Sequence, residues 1–228
     1  MCKSGKKFDL ITINYVLSVA DNAGKILDCV KGILSKRGIL FIIDTSFEMQ
    51  PYILNIVESS SFLTQKSLQN ILIRKGYKEL LTDFSHEKKE IWAFATVNEQ
   101  KVCRYQNLYK ENRYIYDRGV DYLNSVIDVV ENKCKHNDKL AIWGMSNAGI
   151  WLAEIIKGLG IAGKQVTWIE EDEDILQKSY GVNGYPIRRI EAIDFDTVVF
   201  LPFPHYVTLD IVSRNSEFKE KMEFVCFE

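Results

Sequence analysis

An α/β architecture in two successive units follows from three features of the sequence. Strand-like and helix-like stretches alternate regularly, several strands are near-continuous apolar runs, and a tight glycine-bearing turn joins a strand to a helix in the second half. Strands covered on both faces have such unbroken apolar runs, and they belong to parallel sheets. The expectation is a mostly parallel sheet with an antiparallel edge hairpin, followed by a second, smaller α/β domain.

The elements follow in order. Residues 8–16 (FDLITINYV) are β-rich and apolar, and 23–35 carries Ile26, Leu27, Val30, Ile33 and Leu34 at helical spacing. Lys36-Arg37-Gly38 reads as the end of that helix, with cations in the last turn and glycine beyond. Residues 38–44 (GILFIID) then form a buried strand, completing a βαβ unit. A helix over 64–75 has Thr64 as N-cap and Gly76 just past its end. Residues 78–84 and 90–97, joined by a short polar turn, predict the hairpin. The polar, tyrosine-bearing stretch 99–118 is read as a linker between a first unit, 1–98, and a second, 119–228. In the second, Val120, Leu123, Ile127, Val130 and Cys134 mark one helix face. Strands are expected at 139–144, 165–169 and 197–201, with a helix over 150–159, which makes this unit Rossmann-like.

Composition excludes several functions. Lys and Arg number 29 against 31 Asp and Glu, a net charge of -2, so no polyanion-binding surface is expected and nucleic acid is set aside as a partner. No apolar run approaches the roughly 20 residues that span a bilayer, and no apolar segment follows the N-terminal lysines, so a cytoplasmic protein is expected. Five cysteines without a CxxC point to reduced thiols. Cys134 and His136 make at most half a zinc site, so no metal is expected.

Two places carry chemistry. Gly144-Met145-Ser146-Asn147-Ala148-Gly149 has the G-x-G-x-x-G spacing with serine in the middle. Small residues there let the chain turn and let an anion approach the helix start, so Gly144, Ser146, Asn147 and Gly149 are read as a diphosphate cradle, with Glu170 reaching a ribose. Any tight βα turn also asks for small residues. Ile150 and Trp151 stand where a P-loop needs Lys and Ser/Thr, and Ser146 crowds a nicotinamide dinucleotide. The second place is the carboxyl end of the first strands, where ligands bind in open α/β sheets: Asn14, Tyr15 and Asp44 are placed at one crevice edge. There the plainer reading makes Asn14 a strand cap and Asp21 a helix cap. Glu58, in a loop-like stretch, and His205, at the rim after the last strand, are candidate bases.

Residues 8–44 (FDLITINYVLSVADNAGKILDCVKGILSKRGILFIID) resemble the second half of a class I S-adenosylmethionine-dependent methyltransferase: a fourth strand, its helix and a fifth strand. The helix at 64–75 and the hairpin continue that pattern. Residues 143–149, 171–181, Gly184-Tyr185-Pro186-Ile187 and 198–202 resemble the C-terminal domain of the sugar C-methyltransferases. The resemblance implies S-adenosylmethionine as cofactor, flanked by Asn14 and Tyr15, a nucleotide-linked sugar as substrate, and Glu58 as the base. Histidines flank that glutamate in the family; here Val57 and Ser59 do. The family's zinc-binding segment and cofactor glycine motif have no counterpart before Phe8. An upstream partner chain or a second copy is therefore expected to cover the exposed sheet edge, with 8–16 or 38–44 pairing outside the chain. The alternative is a non-catalytic nucleotide-sugar-binding module with a degenerate methyltransferase half.

Overall fold

The structure, a computed structural model, describes residues 5–55, 59–86, 89–97, 106–160, 163–203 and 205–227. The chain divides into two compact units, Met1–Asp121 and Tyr122–Glu228.

The first unit is built on β1 (Phe8–Asn14), α1 (Ala23–Ile33), β2 (Leu34–Thr45), α2 (Gln65–Arg74), β3 (Tyr77–Phe84) and β4 (Glu90–Val97). Its sheet order is β1-β2-β4-β3, with β1 and β2 parallel and β4 antiparallel to both its neighbours. The edge hairpin is thus present. Residues 38–44 lie between β1 and β4, so of the two strands expected to pair outside the chain only β1 is an outer strand. The expected helix end at Lys36-Arg37-Gly38 is instead strand: α1 stops at Ile33, and Leu34, already extended, pairs with Phe8 across a register shift. Asn22, not Asp21, caps α1, its side chain accepting from the Lys25 amide. Thr64 caps α2 in a capping box with Ser67, and Gly76 takes φ +75° as a helix terminator.

The two faces of this sheet differ. Leu40, Ile42, Ile91, Ala93 and Ala95 are sealed under α1 and α2, which contribute Leu27, Val30, Leu68 and Leu72. Tyr77 is buried beside them and its hydroxyl donates to the Leu27 carbonyl at 2.7 Å. The opposite face, which register assigns to Leu10, Ile39, Phe41, Ile43, Trp92, Phe94 and Leu81, is open: Leu10 is 60% and Leu81 53% exposed.

The second unit comprises most of α3 (Tyr109–His136), then β5 (Lys139–Trp143), α4 (Asn147–Gly158), β6 (Gln165–Ile169), α5 (Glu173–Leu176), β7 (Ile187–Arg188), β8 (Thr197–Leu201), α6 (His205–Arg214) and β9 (Met222–Cys226). Its sheet is all parallel, in the order β7-β6-β5-β8-β9. α3 begins at Tyr109, inside the stretch expected to be linker, so the boundary falls within a helix. One face of the sheet packs on α3 and α4 through Val126, Val130, Leu152 and Ile156, the other on Ile190, Ile211 and Phe218.

Cys134 sits in the first of these layers, 2% exposed, and burial pushes its thiol from the ordinary 9.0 up to about 11. Thiolate is the reactive form, so Cys134 is expected to resist iodoacetamide at pH 8 while the exposed Cys29 labels, checked by mass spectrometry of the native chain. Between pH 9 and 11 the unfolded thiol ionises while the folded one keeps its proton, so the second unit loses stability across that window.

Candidate functional site

In the first unit, β1 ends at Asn14 and Tyr15 turns the chain with φ +53°, a left-handed conformation uncommon for a non-glycine residue. The Tyr15 hydroxyl donates to Glu90 Oε1 at 3.1 Å. Partial burial and the Glu90 charge raise its pKa above the ordinary tyrosine value. The loop then dips inward. Leu17 and Ser18 are buried, and their amides donate to Asp44 Oδ2 at 2.8 and 3.2 Å. Asp44 Oδ1 accepts from the Thr45 amide at 2.8 Å. On its outer side the loop is held by Ser60 and Ser61, whose amides donate to the Ser18 carbonyl.

Asn14 and Asp44, expected at one crevice edge, are on opposite faces of the sheet. Asn14 is in register with Ile43 and is exposed on the open face, whereas Asp44 follows Leu40 and Ile42 on the sealed one. Asp44 is 0% exposed and its oxygens are taken by backbone amides, so its role in this structure is to shape the loop. Sequence reasoning also passed over Ser46, fully buried with a hydroxyl that has no partner among the described residues. Nothing in the sequence marks it. Glu58 lies outside the described residues, and so does the side chain of His205, whose backbone opens α6.

In the second unit the turn after β5 has the geometry its glycines require. Gly144 takes φ +76° and its amide donates to the Ile169 carbonyl at 2.8 Å. Ser146 caps α4, its hydroxyl accepting from the Gly149 amide at 3.2 Å. A Cβ on Gly149 would come within 2.3 Å of the Gly144 carbonyl oxygen, so only glycine lets helix and turn approach this closely. Asn147 is exposed at the first position of α4, where amides have no partner within the helix.

Glu170, expected on a ribose, turns toward the protein. One oxygen accepts from the Met145 amide at 3.2 Å, the other from the amides of Glu171 and Asp172 at 2.9 and 3.3 Å. The turn therefore already holds one internal carboxylate, and the Phe203 ring lies over Gly144, where an added Cβ would meet it at 2.6 Å. The first turn of α4, around Ser146 and Asn147, is what remains for an anion. The structure thus brings Gly144, Ser146, Asn147, Gly149 and Glu170 together at the carboxyl ends of β5 and β6. Phe203, a neighbour sequence spacing did not reveal, is the first aromatic after β8.

Asn14, Tyr15 and Asp44 are the described residues of the first unit that bear on a cofactor site. Asp44 is sealed, the Tyr15 hydroxyl is engaged by Glu90, and Asn14 stands alone at the strand end. They form one wall and do not by themselves fit S-adenosylmethionine. Among the described residues no three His, Cys, Asp or Glu side chains cluster as metal ligands, and no helix is long and apolar enough to cross a membrane.

No protein-family model and no curated protein matches the sequence. Solved structures similar to part of the chain include an S-adenosylmethionine-dependent methyltransferase from Clostridium acetobutylicum ATCC 824, at 11% identity and TM-score 0.34, covering 41% of this chain and 60% of that one. Another is magnesium protoporphyrin IX methyltransferase (ChlM) from Synechocystis PCC 6803 with bound SAH, at 12% identity and TM-score 0.34, covering 42% and 48%. A third is LepI in complex with SAM, at 12% identity and TM-score 0.36, covering 41% and 27%. The chain thus spans 60% or less of each of these proteins, and a likeness this slight does not assign it to a family.

Proposed function

We propose that the chain belongs to a methyltransferase-type protein that uses S-adenosylmethionine and acts on a nucleotide-linked sugar. The first unit supplies one half of the cofactor domain and the second holds the diphosphate of the substrate. The observation that carries this reading is the sheet of the first unit. Two parallel strands are closed on one side by a reversed hairpin, while β1 is an outer strand with an apolar face uncovered beside it. An outer strand presents unpaired backbone groups, so the same reading has further polypeptide, or a second copy of the chain, completing the sheet next to β1 and covering the open face. In the second unit the diphosphate lies against the first turn of α4, at Ser146 and Asn147.

The alternative, a nucleotide-sugar-binding module without catalysis, is favoured by the sealed carboxylate of Asp44 and by the engaged hydroxyl of Tyr15. Calorimetric titration of the full chain with S-adenosylhomocysteine and with UDP- and dTDP-sugars separates the two. Both readings expect diphosphosugar binding that Asn147→Glu weakens at least about tenfold. A carboxylate there repels phosphate yet suits a helix N-terminus, so the fold survives. Binding of S-adenosylhomocysteine supports the methyltransferase reading, and diphosphosugar binding without it supports the module. Diphosphosugar binding indifferent to Asn147→Glu overturns the placement at α4.

A further inference from the structure

We infer a second anion site in the second unit, at the amino ends of its strands and therefore at the opposite end of the sheet from the α4 turn. On one face of this sheet, Ile211 of α6 and Phe218 pack over β8 and β9. The return from β7 to β8 crosses the same face with only one short turn, Ile190–Ala192, pinned by buried Ile190. The lower parts of β5 and β6 are left open beneath a cleft of about 480 Å³. Such a volume suits a small organic ligand.

The floor of that cleft is polar where the same strands are apolar higher up. Lys139 and Gln165 are in register at its base and Thr167 follows, before the face turns apolar at Trp143 and Ile169. Arg188, in register with Ile169, closes one side, and Lys164 stands at the lower rim. Lys139, Lys164 and Arg188 thus face a cleft whose lining, among the described residues, holds one acidic residue, Asp194, in a chain of net charge -2. Lys139 Nζ donates to the Phe195 carbonyl at 3.2 Å and stands 3.9 Å from Asp194. Lys164 Nζ donates to the Asn137 carbonyl at 2.7 Å and to Asp138 at 3.4 Å. These bonds fix each ammonium in place and leave it further donors, since an ammonium has three. The Arg188 guanidinium has no hydrogen bond or ion pair among the described residues, and its planar fork matches a phosphate. The ligand this donor set takes is a phosphate group, either free phosphate or the phosphomonoester of a small metabolite, with the remaining volume for the organic part.

The test is heteronuclear NMR titration of the full chain with inorganic phosphate and with ribose 5-phosphate. Both probes are expected to shift the amides of Thr167 and Arg188 and to leave those of Ser146 to Gly149 in place. Arg188→Gln, on an exposed strand position, is expected to weaken binding about tenfold, the usual effect of losing one charge-assisted hydrogen bond. Asn147→Glu is expected to change nothing at this cleft, so failure here and failure at the α4 turn are separable. Tighter binding of ribose 5-phosphate than of phosphate identifies a phosphomonoester site; equal binding identifies a phosphate site. Shifts confined to the α4 turn, affinity unchanged in Arg188→Gln, or no shift at millimolar concentrations of either probe overturns the inference.

Discussion

Asp44→Ala is expected to destabilise the first unit by about 4 kcal/mol, since it strands three backbone amides and each buried donor left unpaired costs about 1 to 3 kcal/mol. The three donors are Leu17, Ser18 and Thr45, and the carboxylate they meet is fully buried. Asp44→Asn retains one carbonyl oxygen but aims an amide NH₂ at a donor, and about half the loss is expected. Hydrogen exchange on the full chain provides the measurement, because Leu17 and Ser18 report the loop while Leu40 and Ile42 report the sheet. Both segments should lose protection together in Asp44→Ala. Unchanged protection at Leu40 and Ile42 would show that the loop is an appendage and not part of the folding unit.

Gly149→Ala is the second large effect, about 3 kcal/mol at the upper end of what overpacking costs. The new methyl group would stand 2.3 Å from the Gly144 carbonyl oxygen and 3.2 Å from Trp168, itself fully buried. The carbonyl cannot retreat freely, because the Gly144 amide is tied to Ile169 and its φ of +76° is fixed by the turn. Gly158 in the same helix is the control: a Cβ there meets nothing within 4 Å. Gly158→Ala should stabilise by up to about 1 kcal/mol through helix propensity and a less flexible unfolded chain. Thermal unfolding followed by tryptophan fluorescence suits both variants, since Trp143, Trp151 and Trp168 lie in this unit. Equal melting temperatures for Gly149→Ala and the parent chain would mean that turn and helix do not approach as closely as described.

The parts of the fold legible in the sequence were those with a local cause. The apolar runs in β2, β5 and β8, the Thr64 cap and the glycines at 76, 144 and 149 each declare a backbone need that neighbouring residues do not alter. The start of β2 was illegible because Lys36-Arg37-Gly38 carries helix-ending chemistry, and only the pairing of Phe8 with Leu34 draws it into the sheet. The first turns of α3 were hidden because Tyr109, Tyr114 and Tyr116 are exposed and mark no buried stripe. β9 and α6 were missed because their apolar residues, Met222, Phe224 and Val225 in one and Val207 and Ile211 in the other, find their partners only across the sheet, once β8 is in place. Asp44 was misplaced for want of parity: a carboxylate two residues beyond Ile42 shares its face, and Ile42 is under the helices. Period-two counting along 40–44 would have found this, and the pairing of Asn14 with Ile43 would not have been needed.

The open face of the first sheet also sets the calorimetric character of that unit. Apolar surface already wet in the folded state adds nothing to the heat capacity gained on unfolding, which for ordinary domains is about 12–15 cal/mol/K per residue. With Leu10, Ile39 and Leu81 already in water, the first unit should fall below that figure. Its stability curve is correspondingly flat, and the unit resists cold better than its modest core suggests. Anything that seals the face raises the heat capacity and steepens the curve.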